Sequence, residues 1–332
     1  MRPEEPVTVT IAVPTFHRPA ELRALLPMLL AHAAEVGDAF PTTVLIVDND
    51  PGGSGAAVVD ALGDPRVRAV VEAHPGISAV RNRALSEAGT RLLAFIDDDE
   101  VPHEGWLAHL LDTWQRTDRP AAVSGRVVAS FSGELDPWLA AGSFFVRRRL
   151  PTGSAIDVAA AGNLLLDLDQ VRAAGVRFAD DLGLSGGEDT LFSRELHARG
   201  YRMTWCDESA ITDLVPPERM TRRWVLQRAW SHGNSASTIR IRLARSRGGR
   251  LRARASGVVG GAVRVVGGGA RWLFGVLTRS LRHQARGARA VWRGGGMVTG
   301  ALGVVYQEYA RGAAVDAGDA GDPGRGTAEA GA

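Results

Sequence analysis

Four short apolar runs, each closing on a polar or acidic step, organise the first hundred positions. Val7–Val13, Thr43–Val47, Val67–Val71 and Arg91–Ile96 are continuous rather than alternating, which predicts buried strands. Between the first two, Leu22, Leu25, Leu26, Leu29 and Leu30 recur at helical spacing from Arg18 to about Val36. Asp50-Pro51-Gly52-Gly53 is a turn, and Ala56–Leu62 and Gly76–Ala88 read as helices. The order is βαβαβαβ. Together with uninterrupted apolar strands, it predicts an α/β fold with a mostly parallel sheet covered by helices on both faces. Ligands of such sheets gather at the carboxyl ends of the strands. Pro14–Arg18, Asp48–Asp50 and Asp97–Asp99 are therefore expected to share one crevice.

Further on, the pattern predicts helix over His103–Trp114, strand over Ala121–Ser130 and an irregular stretch over 131–156. A short strand at Asn163–Leu166 and a short helix at Asp169–Ala174 follow. Glu188 to about Arg199 is a helix stopped by Gly200, Tyr201–Trp205 a strand, and helix is expected from about Thr221.

Composition adds a boundary. Residues 1–239 hold 23 Arg against 32 Asp plus Glu, a net of −9, whereas 240–332 hold 16 Arg against 5 acids, a net of +11. No acid falls between 240 and 293. This predicts an acidic domain over 1–239, a basic amphipathic helical region over 240–312, and a disordered Gly-, Ala- and Asp-rich tail over 313–332. The single cysteine, Cys206, excludes an intramolecular disulfide framework and fits a reducing compartment. With no secretory signal pattern and no apolar stretch of about 18 residues, the expected location is cytoplasmic, peripheral on the inner face of the cell membrane.

The step at Phe95-Ile96-Asp97-Asp98-Asp99 carries the most chemistry. Three consecutive carboxylates at the end of a buried strand repel one another unless positive charge stands beside them. Mg²⁺ or Mn²⁺ bound with one or two carboxylates plus substrate phosphate oxygens would supply it. A solvated acidic turn before the next helix is the plainer reading.

Five segments appear in order: Ala12-Val13-Pro14-Thr15-Phe16-His17-Arg18, Val47-Asp48-Asn49, Asn82-Arg83, the acidic step, and Gly187-Glu188-Asp189. Together, over roughly residues 7–235, they resemble a family 2 glycosyltransferase of the GT-A fold. The resemblance implies an inverting, metal-dependent transferase that moves a sugar from a nucleoside diphosphate sugar to an acceptor hydroxyl of a glycan, lipid-linked or small molecule. It makes Asp97-Asp98-Asp99 the DxD-type motif, with Asp99, aided by Asp97 or Asp98, holding Mn²⁺ or Mg²⁺ on the donor diphosphate. It puts Asp48 and Asn49 near the nucleotide base, where two adjacent Asp are commoner. An Asx turn would use the same residues. It sets Pro14, Thr15 and Arg18 against the nucleotide and Arg81, Asn82 and Arg83 towards the donor, with Arg83 near the pyrophosphate. Capping of the first helix and a solvated helix face are the alternatives. Asp189 then becomes the general base, with Glu188 the second choice, although acids in a first helical turn also follow from the helix dipole alone.

His232 could meet metal or phosphate, or be an ordinary surface residue. Arg222, Arg223 and Arg228 surround Trp224 and Trp230, but Gln227-Arg228-Ala229-Trp230 lacks the QxxRW spacing of processive members. In the tail, Arg279, Arg282, Arg286, Arg289 and Arg293 form one helical stripe. Val258–Val266, Trp272–Leu277 and Met297–Val305 supply apolar patches. Interfacial helices on anionic lipid would combine these features, each Arg contributing about 1 kcal/mol. A hairpin packed on the catalytic domain competes, and nucleic acid is not expected. The other function classes are a sugar nucleotidyltransferase, disfavoured because the first strand–helix loop lacks glycine, and an inactive glycan-binding scaffold.

Overall fold

In the computed structural model, which describes residues 6–183 and 186–304, the predicted strands assemble into one eight-stranded sheet. β1 (Val9–Thr15), α1 (Pro19–Val36), β2 (Thr42–Asp48), α2 (Ser54–Leu62), β3 (Val67–Val71), α3 (Ile77–Glu87) and β4 (Leu92–Phe95) follow the expected alternation. The strand order is β3-β2-β1-β4-β7-β6-β8-β5. The first four are parallel, β7 (Leu164–Asp167) runs antiparallel between β4 and β6 (Ala122–Phe131), and β8 (Met203–Val215) is parallel to β6. Thr15 pairs with Asp48 and Ala12 with Phe95, so the predicted crevice forms at aligned strand ends.

Continuous apolar strands bury both faces, and alternate residues divide between two cores. Val9, Ile11, Val13, Leu92 and Ala94 pack with Leu22, Leu26 and Leu29 of α1 and with Trp106 and Trp114 of α4 (Trp106–Arg116). Ala12, Leu45, Val47 and Phe95 point the other way, towards Val80 of α3, Phe178, and Phe192 of α7 (Glu188–Ala198).

Three elements depart from the expectation. Immediately after the acidic step, Glu100–Pro102 forms β5, an edge strand antiparallel to β8. Three residues ending in Pro are too short for a periodic signal, and an edge is where Pro is tolerated. β8 runs on to Val215 because a register shift at Gly125–Arg126 lets β6 pair with it beyond Cys206. Within the stretch read as irregular, Asp136 caps α5 (Pro137–Gly142) by accepting from the backbone N–H groups of Trp138 and Leu139.

The chain then forms α6 (Leu168–Ala174), α7, and three long helices: α8 (Arg222–Leu243), α9 (Arg247–Leu277) and α10 (Leu281–Ala301). α8 passes through the composition boundary at 239–240 without a break, and α10 packs back along α8, α9 and α5. The expected disordered tail at 313–332 lies outside the described residues. Buried Gly257, Gly261, Gly268 and Gly275 line the side of α9 that meets α10. Leu251, Val259, Val263, Val266, Leu273 and Leu277 lie on the opposite side and are exposed.

Candidate active site

Two arginines, contributed by other elements, answer the acidic step. β4 delivers Asp97, Asp98 and Asp99 to the crevice. From the β1–α1 loop, Arg18 Nη1 lies 2.8 Å from Asp98 Oδ1 and 2.7 Å from Asp99 Oδ2. The Thr15 hydroxyl donates to the other oxygen of Asp98 at 2.8 Å. Arg18 occupies the N-cap position of α1, but its side chain makes no cap, so Thr15 and Arg18 are spent on the carboxylates rather than the helix. Buried Arg81 of α3 bridges two motifs: Nη1 donates to Glu188 Oε1 at 2.5 Å and Nη2 to Asp97 Oδ1 at 3.5 Å, with its guanidinium 5.7 Å from the Phe178 ring centre. The ion pair Arg81–Glu188 thus ties the start of α7 to the end of β4.

Burial sets the proton affinities. It pushes Asp98 up to about 6 despite the pull of Arg18. It raises Asp97, with Arg81 opposing and Asp99 adding to the rise, and raises Glu188 against the same arginine. Glu100 stands well above the usual carboxylate range through burial and then the charge of Asp97, whose backbone N–H it accepts at 3.0 Å. Desolvation works against the charge of Arg18, but Asp98 and Asp99 outweigh it and hold that guanidinium above its ordinary range.

Asp189 differs from its neighbour. Glu188 is buried and ion-paired, whereas Asp189 accepts only from the backbone N–H and hydroxyl of Thr190, at 2.6 and 3.3 Å, and makes no ion pair among the described residues. Gly186 (φ 76°) and Gly187 (φ 92°) give the sharp entry to α7 that other residues rarely adopt. A Cβ on Gly187 would stand 3.1 Å from that of Ser235, so α8 closes the far side of this motif.

The residues expected at the base are held by bonds to the surrounding backbone. Asp48 is fully buried and accepts from the N–H groups of Asp50 (3.0 Å), Gly55 (2.6 Å) and Ala56 (3.1 Å), fastening the start of α2. Asn49 donates to the carbonyls of Glu72 and His74 and accepts from the N–H of Gly76. Asp50 makes the Asx turn, accepting from Gly52 and Ser54, with His17 Nδ1 3.3 Å away. Pro14 lies within β1 opposite Val47. Arg83 pairs with Glu87 one turn on, at 3.0 Å along α3, while Arg81, two positions earlier and so on another helix face, meets Asp97 and Glu188. Asn82 holds the approach to α7 by bonding Phe178 and Asp180. Sequence reasoning passed over Glu100 and Asn163. The latter accepts from the Trp106 indole at 2.9 Å and donates to the carbonyls of Arg126 and Ser209, and only its burial inside the sheet distinguishes it.

Asp97 and Asp99 keep 34 % and 30 % of their side-chain surface open to the crevice. Among the described residues no three His, Cys, Asp or Glu side chains converge as a self-sufficient metal cage. Two open carboxylates, hard oxygen donors only, suit Mg²⁺ or Mn²⁺ that takes its remaining ligands from phosphate and water. The donor set therefore fits such an ion.

Comparison with known proteins gives one picture. Residues 10–167 match the family model described as glycosyl transferase family 2. The succinoglycan biosynthesis protein ExoM of Rhizobium meliloti (strain 1021) is 32% identical over 236 residues, covering 70% of this chain and 75% of that protein. A mannosyltransferase from Pyrobaculum calidifontis, solved with GDP-Man and Mn²⁺, superposes with a TM-score of 0.60 at 17% identity, covering 88% of this chain and 86% of that one. S. aureus TarS 1-349 superposes with a TM-score of 0.50 at 13% identity, covering 86% and 90%.

Proposed function

The chain belongs to glycosyl transferase family 2 and is a glycosyltransferase, and from that premise we propose an inverting, metal-dependent transfer from a nucleoside diphosphate sugar to an acceptor hydroxyl in envelope glycan assembly. The division of labour among the carboxylates carries this reading. Glu188 is buried against Arg81 and Asp98 against Thr15 and Arg18, whereas Asp97 and Asp99, although each also meets one of these arginines, stay about a third open to the crevice, and Asp189 makes no ion pair among the described residues. Asp189 accepts the proton of the attacking hydroxyl, which must lie within hydrogen-bond reach of it. Asp99, with Asp97, would hold Mn²⁺ or Mg²⁺, and the ion would neutralise charge on the departing diphosphate. Arg18 and Arg81 orient the acidic step and add positive charge beside the same phosphates. Asp48 and Asn49 shape the wall of the nucleotide pocket through the loops they hold.

No described helix is long and apolar enough to cross a membrane. The exposed apolar face of α9, within a segment of fourteen Arg and no acid from 240 to 293, supports a peripheral place on an anionic leaflet. The ExoM likeness supports an envelope-glycan acceptor. Thermal shift with a panel of nucleoside diphosphate sugars, with and without Mn²⁺, tests the donor half. One donor should raise the melting point only with the ion present, and Asp99→Asn should abolish the shift. A panel that leaves the wild type unmoved contradicts the reading.

A further inference from the structure

The mechanism above makes no use of the charge gathered where α8 and α10 meet. Arg228, His232, Ser235 and Ile239 fall on one face of α8, at spacings of four, three and four. Ser235 and Ile239 of this face pack on Gly186–Gly187, and His232 lies one turn along α8 from Ser235, a rise of about 5 Å. α10 approaches that face closely: a Cβ on Gly233 would lie 2.0 Å from the carbonyl oxygen of Arg293. The arginine stripe expected to meet lipid therefore turns, at its C-terminal end, towards α5 and α8. Arg289 lies 5.5 Å from the Phe144 ring centre, and Arg228 lies 6.0 Å from that of Trp224. Trp138 stacks on Phe144 and Trp224 on Phe145, which fixes this aromatic floor.

Neither Arg289 nor Arg293 has a carboxylate within ion-pair distance among the described residues. Desolvation and then neighbouring arginines hold both below the usual arginine range. Cations gathered and partly desolvated in this way are normally matched by an anion. Directly beside them, a groove of about 360 Å³ is walled by Phe131, Leu135, Leu139, Phe144, Phe145 and Val146. Arg147 follows the last of these and pairs with Asp213 at 2.6 Å.

We propose that His232, Arg289 and Arg293, with Arg228 and Arg147 beside them, bind the phosphate or diphosphate ester of an acceptor whose long apolar chain lies along this groove. The assignment deepens the function proposed above and rests on it. The placement separates this site from the donor's. Arg81 ties the start of α7 to Asp97, whereas Ser235 and Ile239 of α8 meet the same start at Gly186–Gly187, so the segment that presents Asp189 is shared by the acidic step and by the helix that carries His232. A base on that segment is placed to serve a donor on one side and an acceptor held by α8 on the other. The wall favours an alkyl chain over a free nucleotide, since Ser143 is the one hydroxyl side chain among the residues that line it.

Calorimetric titration of the full chain with geranyl diphosphate, inorganic pyrophosphate and geraniol tests the assignment. The wild type should bind geranyl diphosphate more tightly than either fragment. Arg289→Gln/Arg293→Gln should weaken it about tenfold or more, because two charge-assisted contacts are lost. Mn²⁺-dependent binding of nucleoside diphosphate should stay unchanged in that variant. Arg293→Gln alone, at an exposed position, reports the same trend if the double variant does not fold. Unaltered geranyl diphosphate binding, equal loss of nucleoside diphosphate affinity, or pyrophosphate binding as tight as the ester would each overturn the proposal. Absence of Mn²⁺-dependent nucleotide binding in the wild type would instead strike the donor reading.

Discussion

Arg81 shows how a single residue joins two motifs that lie about a hundred positions apart in the chain. Its guanidinium is buried with Glu188 and reaches Asp97, so removing it leaves an uncompensated buried carboxylate. Arg81→Met should cost about 3–5 kcal/mol, measured by urea denaturation. A loss under 1 kcal/mol would show that water already reaches Glu188. Asp48 is spent similarly, on three backbone N–H groups. Asp48→Ala should destabilise by about 3 kcal/mol, since hydrogen bonds to a charge are worth roughly 1.5–3 kcal/mol each and not fully additive. His232 gives a pH dependence. The residue keeps an exposed edge, but desolvation of the rest of the ring, followed by the fields of Arg228, Arg293, Arg289 and Arg147, pushes its pKa down to about 3 from 6.5. The folded state therefore prefers the neutral ring. Its contribution is complete above pH 6.5 and is lost as the pH falls from there towards 3. Denaturation midpoints between pH 7 and 4 should fall more steeply for the wild type than for His232→Gln. At this scale the sequence was legible for residue types but not for pairings. The acidic step announced a need for positive charge, but that Arg18 and Arg81 meet it depends on strand register and helix phase, and the same phase sets Arg83 against Glu87.

Among the elements, those with long periodic signals were readable, and short or non-periodic ones were not. β1 to β4 and α1 stood out because their apolar positions repeat. β5 and α5 did not, because three residues and six residues are fixed by pairing and by a capping Asp136 rather than by pattern. The basic region also hid its packing. Its apolar patches suggested faces, but the glycines decide which side of each helix is buried. At Gly296 a Cβ would fall 2.0 Å from the carbonyl oxygen of Trp230, which is backbone and cannot yield easily. Alanine there gains about 1 kcal/mol of helix propensity, yet the clash should dominate and cost about 1–3 kcal/mol net. Hydrogen exchange should show the loss as faster exchange confined to α8–α10, with the sheet protected as before. A more stable Gly296→Ala protein would mean that α8 and α10 do not pack this closely.

For the whole molecule, residues 1–239 with a net charge of −9 are joined to a basic C-terminal segment, 240–332, of net charge +11. The apolar stripe on α9 is exposed opposite its glycine face, along a helix about 46 Å long. A second copy of the chain would bring like charges together there, whereas an anionic bilayer would neutralise them. Flotation with phosphatidylglycerol vesicles should recover the protein. Phosphatidylcholine vesicles or a Leu273→Ser/Leu277→Ser variant should recover much less. Equal recovery from both lipids would remove the arginines from the account. The central claim is that the carboxylates divide their work, with Asp99 serving the metal–donor end and Asp189 the proton. Transfer of sugar from the donor found by thermal shift, measured with Mn²⁺ alongside donor affinity, tests it most directly. Asp189→Asn should bind donor as the wild type does while turnover falls about 10²–10⁴-fold, and Asp99→Asn should lose donor affinity itself. Wild-type turnover in Asp189→Asn would contradict the claim.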